Sequence, residues 1–321
     1  MYPTNPSGLM RIETSLVSVM MPSYNANATL PRAIASLLAQ THENWECLLV
    51  DDGSDESPRE IVEAAHDDRI RLITLNRNYG RGVARQTALD NARGKYLAML
   101  DADDWMFPTR LADQVAILNE EPDLALVSSS TALIDDQNNI IAVRPATSDS
   151  AAPTSYTLNA PTSLPVIFAA SMIPIAVARQ GRFDSDYRRS EDHDFLRSIL
   201  LGRRFVIMPL LHYAYYEQNE TTLRKMLQSH QLTRRSLRKH VRDYPAHVLP
   251  DLARSFIRSA AYAIAFAVGA EQKLIMRRSN APTDHDRKAF AEARAHVDTM
   301  QTEIFGRIGP AQFSDDVYVL R

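Results

Sequence analysis

The stretch "LDADDWMFPTR" (residues 100–110) sets three carboxylates, Asp101, Asp103 and Asp104, within four positions directly after an apolar run. Like charges that close repel, and burying one uncompensated is costly. The cluster therefore either lies in water on a turn or surrounds something positive. A D-x-D pair, Asp101 and Asp103 about Ala102, offers hard oxygen ligands to a divalent cation. Mg2+ or Mn2+ held by one or two carboxylates keeps water and takes further ligands from a diphosphate. There it would neutralise charge on a departing phosphate. The alternative is a solvated turn in which Asp104 caps the next helix.

Two other stretches bear on a nucleotide. "VSVMMPSYNANATL" ends a short apolar run in Pro22-Ser23-Tyr24-Asn25, and "CLLVDDGSDES" ends another in Asp51-Asp52-Gly53-Ser54. The first can lay a backbone turn and an aromatic ring beside a flat base; Asp52 could accept the imide N–H of uracil or thymine. Asn, Asp, Gly and Ser are also plain turn formers. In "RNYGRGVARQTAL", Gly80 and Gly82 have the spacing of a dinucleotide fingerprint, and an acid follows at Asp101. Arg85 occupies the place of the third small residue, however, which fits a phosphate or ribose contact better than that fingerprint.

The elements that must position these groups alternate. Apolar runs at 16–21, 45–50, 69–75, 95–100 and 124–130 read as buried strands. Helical patterns fill 30–39, 58–65, 82–93 (closed by Gly94) and 108–119. Such alternation predicts an α/β fold, a mainly parallel sheet covered on both faces. Ligands of these sheets bind beyond the carboxyl ends of the strands, so residues 22–25, 51–54, 76–82 and 101–104 should share one edge. Beyond residue 135 the pattern changes. A turn at 137–139 joins short strands, 145–165 reads as a mobile or substrate-facing loop, and a helix from Glu191 precedes the strand 204–216.

Bulk numbers narrow the classes. The chain has 321 residues, a formal net charge of −3 and one cysteine, Cys47. The charge makes no case for nucleic acid, and no disulfide framework is possible. The first fifteen residues lack the basic region and long apolar run of a signal peptide. Residues 259–270 are too short an apolar run to span a bilayer, which needs ~20 residues. A cytoplasmic protein is expected.

"VMMPSYNANATLPRAIASLLAQTHENWECLLVDDGS", "NRNYGRGVARQTAL", "GKYLAMLDADD" and "GRFDSDYRRSEDHDFLRSILLG", in that order and spacing, resemble the inverting glycosyltransferase family 2, over residues 15–220. The resemblance implies a GT-A fold and sugar transfer from a nucleotide-diphosphate donor, a UDP-sugar on the strength of Asp52, to an acceptor hydroxyl. It places Pro22, Tyr24 and Asp52 at the base, with Asn25 in the same turn. Asn78, Gly80 and Arg85 belong to its base, ribose and phosphate loop. Asp101 falls at the ribose and Asp103 at the Mn2+ or Mg2+. In "SEDHDF", Asp192 matches the general base and Glu191 a neighbouring acceptor or orienting contact, with Asp194 the alternative base. An inverting transfer needs such a carboxylate opposite the leaving diphosphate. Ser190 would cap the helix that carries them. Where the family has Y-R-x-H, this chain has Gln218, a poor metal ligand, so coordination would rest on Asp103, diphosphate oxygens and water. His193 and His212 read as structural.

These readings divide the chain into a nucleotide-sugar-binding part (1–120), an acceptor-binding and catalytic part (121–221) and a helical C-terminal region (222–321). "MLQSHQLTRRSLRKHVRDY" presents a basic face that could touch anionic lipid or be merely solvated. "FIRSAAYAIAFAVGAEQKLIM" could pack on another helix, of this chain or of a second copy. Acceptors of such enzymes are glycans or lipid-linked glycans, in bacterial surface polysaccharide or glycolipid synthesis. The competing readings are a nucleotidyltransferase, against which "PSYNANATL" lacks a glycine-rich basic loop, and a non-catalytic sugar-nucleotide-binding module.

Overall fold

The computed structural model describes residues 14–144, 152–162, 164–187, 189–216, 222–270 and 279–306. The first strands and helices alternate as β1 (Val17–Ser23), α1 (Leu30–Leu38), β2 (Trp45–Asp51), α2 (Arg59–Ala64), β3 (Ile70–Thr74), α3 (Arg81–Asn91) and β4 (Tyr96–Met99). Then come β5 (Trp105–Met106), α4 (Arg110–Glu120), β6 (Leu126–Ile134), β7 (Ile140–Arg144), β8 (Thr154–Thr157), β9 (Met172–Pro174) and α5 (Ile175–Ala178). α6 (Glu191–Leu200), β10 (Arg204–Tyr216), α7 (Leu223–Arg238), α8 (Pro245–Ala267) and α9 (Asp284–Phe305) complete the order.

One mixed sheet runs β3-β2-β1-β4-β9-β6-β10-β5, with β7 beside β6 and β8 beside β10. The ladders β3-β2-β1-β4 and β6–β10 are parallel, as the alternation predicts. Antiparallel β9 joins them, pairing with β4 on one side and β6 on the other. With two and three residues, β5 and β9 leave no periodic signal in the sequence. β8 likewise lies inside a stretch that reads as loop; residues 145–151 and 163 of that stretch lie outside the described residues.

Every residue of β1 and β2 is buried, which explains their unbroken apolar runs. Val17, Val19 and Met21 join Cys47 and Leu49 in the cluster under α1 and α4. Met20 with Leu48 and Val50 joins the cluster under α3 and α6. Each such side chain stabilises by roughly 1.5–3 kcal/mol on burial. Cys47 is fully buried, and burial pushes its thiol well up, so it packs as a small apolar group.

Two local expectations need correction. Gly94 does not close α3, which ends at Asn91. A Cβ at Gly94 would lie 2.6 Å from the Ser18 backbone nitrogen, so the glycine serves the approach of β4 to β1. Ser190 occupies the N-cap of α6 in the left-handed region (φ 58°) without a side-chain capping bond. His212 is buried against Asp113 (2.9 Å), as a structural histidine should be.

The C-terminal region divides in two. α9 starts at a capping box of Thr283 and Asp286 and returns to the sheet. There Phe290 meets Trp105 (5.4 Å between centroids) and Phe107 (6.2 Å), and Asp298 pairs with Arg32 of α1 at 2.6 Å. Phe290→Ala should cost about 3 kcal/mol in urea denaturation. A loss under about 1 kcal/mol would mean that α9 lies loosely on the sheet.

Candidate active site

The four turns expected at one edge follow β1, β2, β3 and β4, all parallel, so they open on the same side. Pro22 is buried within β1, beyond the point where β4 leaves the ladder at Met20–Met99. Tyr24 is half-buried just past the strand. Asn25 adopts the left-handed region (φ 49°), its N–H donating to Ser54 Oγ at 2.8 Å. Its side chain exchanges two bonds of 2.9 Å with Asp55, so the turns after β1 and β2 form one unit.

Asp52 is buried, and its two oxygens accept the backbone N–H groups of Tyr79 and Gly80, each at 2.8 Å. Burial raises its carboxyl against the pull of those two N–H groups. It thus ties the loop after β3 to β2 and leaves Asn78 exposed beside the turn. Gly80 bends there with φ 95°. Gly53 (φ 71°) permits the contact, since a Cβ would fall 2.3 Å from the Arg77 carbonyl carbon.

The D-x-D turn splits its acids among three duties. Asp101 takes the Arg85 guanidinium at 3.0 Å, while its backbone N–H donates to the Tyr213 hydroxyl at 3.0 Å. Ala102 is buried, and its carbonyl accepts from Thr29 Oγ1 at 2.8 Å. Asp104 caps nothing, contrary to expectation. It is buried, accepting the Tyr213 hydroxyl and the Tyr216 N–H at 2.8 Å each, and burial beside Asp103 and Asp101 raises its carboxyl well above the usual range. Asp103 alone is exposed. No ion pair reaches it among the described residues; protein crowding and the Asp101 charge push its carboxyl up to about 6.

α6 brings the second acidic cluster against the first. Glu191, 1% exposed, accepts Arg85 at 2.8 Å and lies 3.6 Å from Arg81 Nε. The start of α3 adjoins α6 at Gly82, where a Cβ would make only ordinary contacts, 3.9 Å to Glu191 Cβ. Asp192 is half-buried, accepting the N–H of His193 at 2.7 Å. Burial would raise its carboxyl, but His193, Arg85 and Arg81 outweigh that and hold it below the usual range. Asp194 turns elsewhere, to Lys239 Nζ at 2.9 Å on the C-terminal side. Arg85 bridges Asp101 and Glu191, and its charge and that of Arg81 also act on Asp103 and Asp192, so the two acidic clusters adjoin.

Sequence reasoning missed Arg81, Arg189 and Tyr215. Arg189 lies near Arg81, Glu191 and Tyr215; burial and the Arg81 charge lower its pKa. Tyr215 lies by Asp104, Asp103 and Asp101, and burial raises its hydroxyl. The position of Arg81 at the first residue of α3, on the ligand edge, was the available signal for an anion contact. Tyr215 and Arg189 reach the cleft through long-range packing, which no local pattern encodes.

A divalent cation can be tested against these groups. Asp103 is exposed and unneutralised, and Asp101 is nearby but engaged with Arg85. No set of three or more His, Cys, Asp or Glu side chains suited to a metal occurs among the described residues. The donors fit a hard cation that draws further oxygens from a diphosphate and water. Gln218 lies outside the described residues.

The family model for Glycosyl transferase family 2 matches residues 18–168. An uncharacterised glycosyltransferase of Methanocaldococcus jannaschii is 30% identical over 203 residues, 61% of this chain and 69% of that protein. The chain belongs to glycosyltransferase family 2. A second family relative is the UDP-Glc:alpha-D-GlcNAc-diphosphoundecaprenol beta-1,3-glucosyltransferase WfgD of Escherichia coli, 43% identical over 103 residues. That match spans 32% of this family 2 chain and 41% of WfgD; the matches to the first curated relatives span less than half of their lengths. In fold, the chain is similar to S. aureus TarS 1–349 in complex with UDP-GlcNAc (TM-score 0.60, 18% identity, 89% of each chain). The expected fold, a GT-A-like sheet flanked by helices with a C-terminal helical extension, is the one found.

Proposed function

We propose that this chain is an inverting glycosyltransferase moving a sugar from a nucleotide-diphosphate donor, a UDP-sugar, to an acceptor hydroxyl. The observation that carries the reading is Arg85, which joins Asp101 of the D-x-D turn (3.0 Å) to Glu191 (2.8 Å), the neighbour of Asp192. The acceptor proposed is a glycan or lipid-linked glycan of surface polysaccharide or glycolipid synthesis; WfgD, by its name, acts on a diphosphoundecaprenol-linked sugar.

The roles follow from position and charge. The joined turns holding Tyr24, Asn25, Asp52 and Asn78 would receive the base, and Asp101 the ribose. Asp103, with Asp101 near it, would hold Mn2+ or Mg2+. Bound there, the cation supplies charge neutralisation for the diphosphate. Arg81 and Arg189 present guanidinium groups that suit diphosphate oxygens. Asp192, ionised at neutral pH, accepts the acceptor hydroxyl proton as that oxygen bonds to the anomeric carbon and the bond to the diphosphate breaks. Glu191, held by Arg85, orients the start of α6. The parts proposed are nucleotide-sugar binding in 1–120 and acceptor binding in 121–221.

A thermal-shift panel tests this. UDP with Mn2+, at roughly a hundredfold its Kd, should raise the melting midpoint by about 5 °C. The shift should shrink for other nucleoside diphosphates, fall without metal and vanish in Asp103→Ala. An equal shift without metal, or an unchanged one in Asp103→Ala, would remove the cation from the reading.

A further inference from the structure

α8 covers a mixed face and leaves an apolar one open. Its buried residues are Val248, Asp251, Ser255, Tyr262 and Ala265, and Ser255 and Ser259 bond to Arg234 of α7 (3.3 and 3.0 Å). Its outward face is apolar: Leu249 and Phe256 are each 54% exposed, Ile257 68%, Ile264 65% and Val268 70%. At 3.6 residues per turn these five fall in one sector, and alanines fill the gaps between them. A water-facing side of a helix is normally polar, and a contiguous exposed apolar stripe marks an interaction surface.

Charge identifies the occupant. Residues 222–270 hold nine Lys and Arg against two Asp and no Glu, a net of +7 within a chain of net −3. Exposed Arg254 and Arg258 flank the stripe, and Arg234 stands over the Phe256 ring at 4.4 Å. Two copies meeting through this surface would bring two net basic segments together, whereas an anionic surface would draw the segment in. No helix of the described residues is long and apolar enough to cross a membrane. We propose that α8 lies in the headgroup layer of an anionic lipid membrane, apolar face inward and arginines on the lipid phosphates.

The hairpin of α7 and α8 is fastened to α6 and the loop before it. Lys239 pairs with Asp194 (2.9 Å), Arg235 with Asp186 (2.7 Å), and Arg197 donates to Ser236 Oγ (3.0 Å). Docking would therefore hold the Asp192 end of the cleft near the lipid. That consequence rests on the glycosyltransferase reading; lipid binding itself rests on α8 alone.

Co-sedimentation tests it, using phosphatidylcholine vesicles with and without about one-third phosphatidylglycerol. Wild-type protein should pellet with the anionic vesicles, and more weakly as salt rises. Ile257→Glu/Ile264→Glu should lower the bound fraction at least about tenfold. The UDP and Mn2+ thermal shift of that variant should stay at the wild-type value, which separates failed docking from failed donor binding. Ile264→Trp should shift its emission to the blue on anionic vesicles. Wild-type protein that stays in the supernatant, or equal pelleting of the double variant, would overturn the proposal. So would a dimer in light scattering that Ile257→Glu dissociates without lipid, since a second copy would then cover the face.

Discussion

Asp192→Asn should lower kcat by about 10²–10⁴-fold while leaving the UDP and Mn2+ thermal shift intact. The amide keeps the shape of the side chain and its bond from the His193 N–H, yet cannot take up a proton. Because His193, Arg85 and Arg81 hold the carboxyl below its usual range, the base is already ionised at neutral pH. The limb it adds to kcat/KM should therefore lie below the ordinary carboxylate value of about 4, under the one at about 6 expected from Asp103. Asp194→Asn serves as the control. Asp194 is committed to Lys239, so its loss should disturb the joint to α7 more than turnover. Full turnover in Asp192→Asn, or a greater kinetic loss in Asp194→Asn, would move the base to Asp194.

Arg85→Met should destabilise the protein by about 3–5 kcal/mol and abolish donor binding as well. Arg85 is 4% exposed and Glu191 1%, so little water reaches either group. Burial alone would lower the arginine pKa, but Asp101, Glu191 and Asp192 outweigh it and fix the positive charge. Removing the guanidinium leaves buried Glu191 with only the half-exposed Arg81, 3.6 Å away, to offset its charge; its second oxygen already has no partner among the described residues. Asp101 loses its partner in the same step. Arg85→Lys should not restore the midpoint, since one ammonium cannot span two carboxylates in a fork. Arg85→Met/Glu191→Gln should recover part of the stability by removing the stranded charge, but no activity. Urea denaturation checks the order of the three variants. A single Met variant with the wild-type midpoint would mean that the pair adds nothing to folding.

Much of the framework is legible along the chain because it rests on local patterns. The continuous apolar runs of β1, β2 and β4 demand burial on both faces, and the helical stripes between them demand parallel crossovers. From these alone the shared edge of Tyr24, Asp52, Gly80 and Asp101 follows. What is not legible is how chemically alike residues divide their work. Asp101, Asp103 and Asp104 are one amino acid within four positions. One is paired to Arg85, one is open to the cleft, and one is buried under Tyr213 and Tyr216. Only the partners distinguish them, and Tyr213 is 109 residues away from Asp104.

The same holds at larger scale. Residue order alone determined that strands end in acidic and Asn/Gly turns, that Arg85 follows a glycine pair, and that the tail is helical and basic. These are properties of neighbours in sequence, read through periodicity and turn chemistry. Tertiary structure decided that Arg85 joins Asp101 to Glu191, that α9 closes on Trp105, and that the apolar side of α8 faces outward. Each depends on which distant surface arrives to desolvate or neutralise a group. Periodicity shows that a helix has two faces; only the packed chain shows which one it covers.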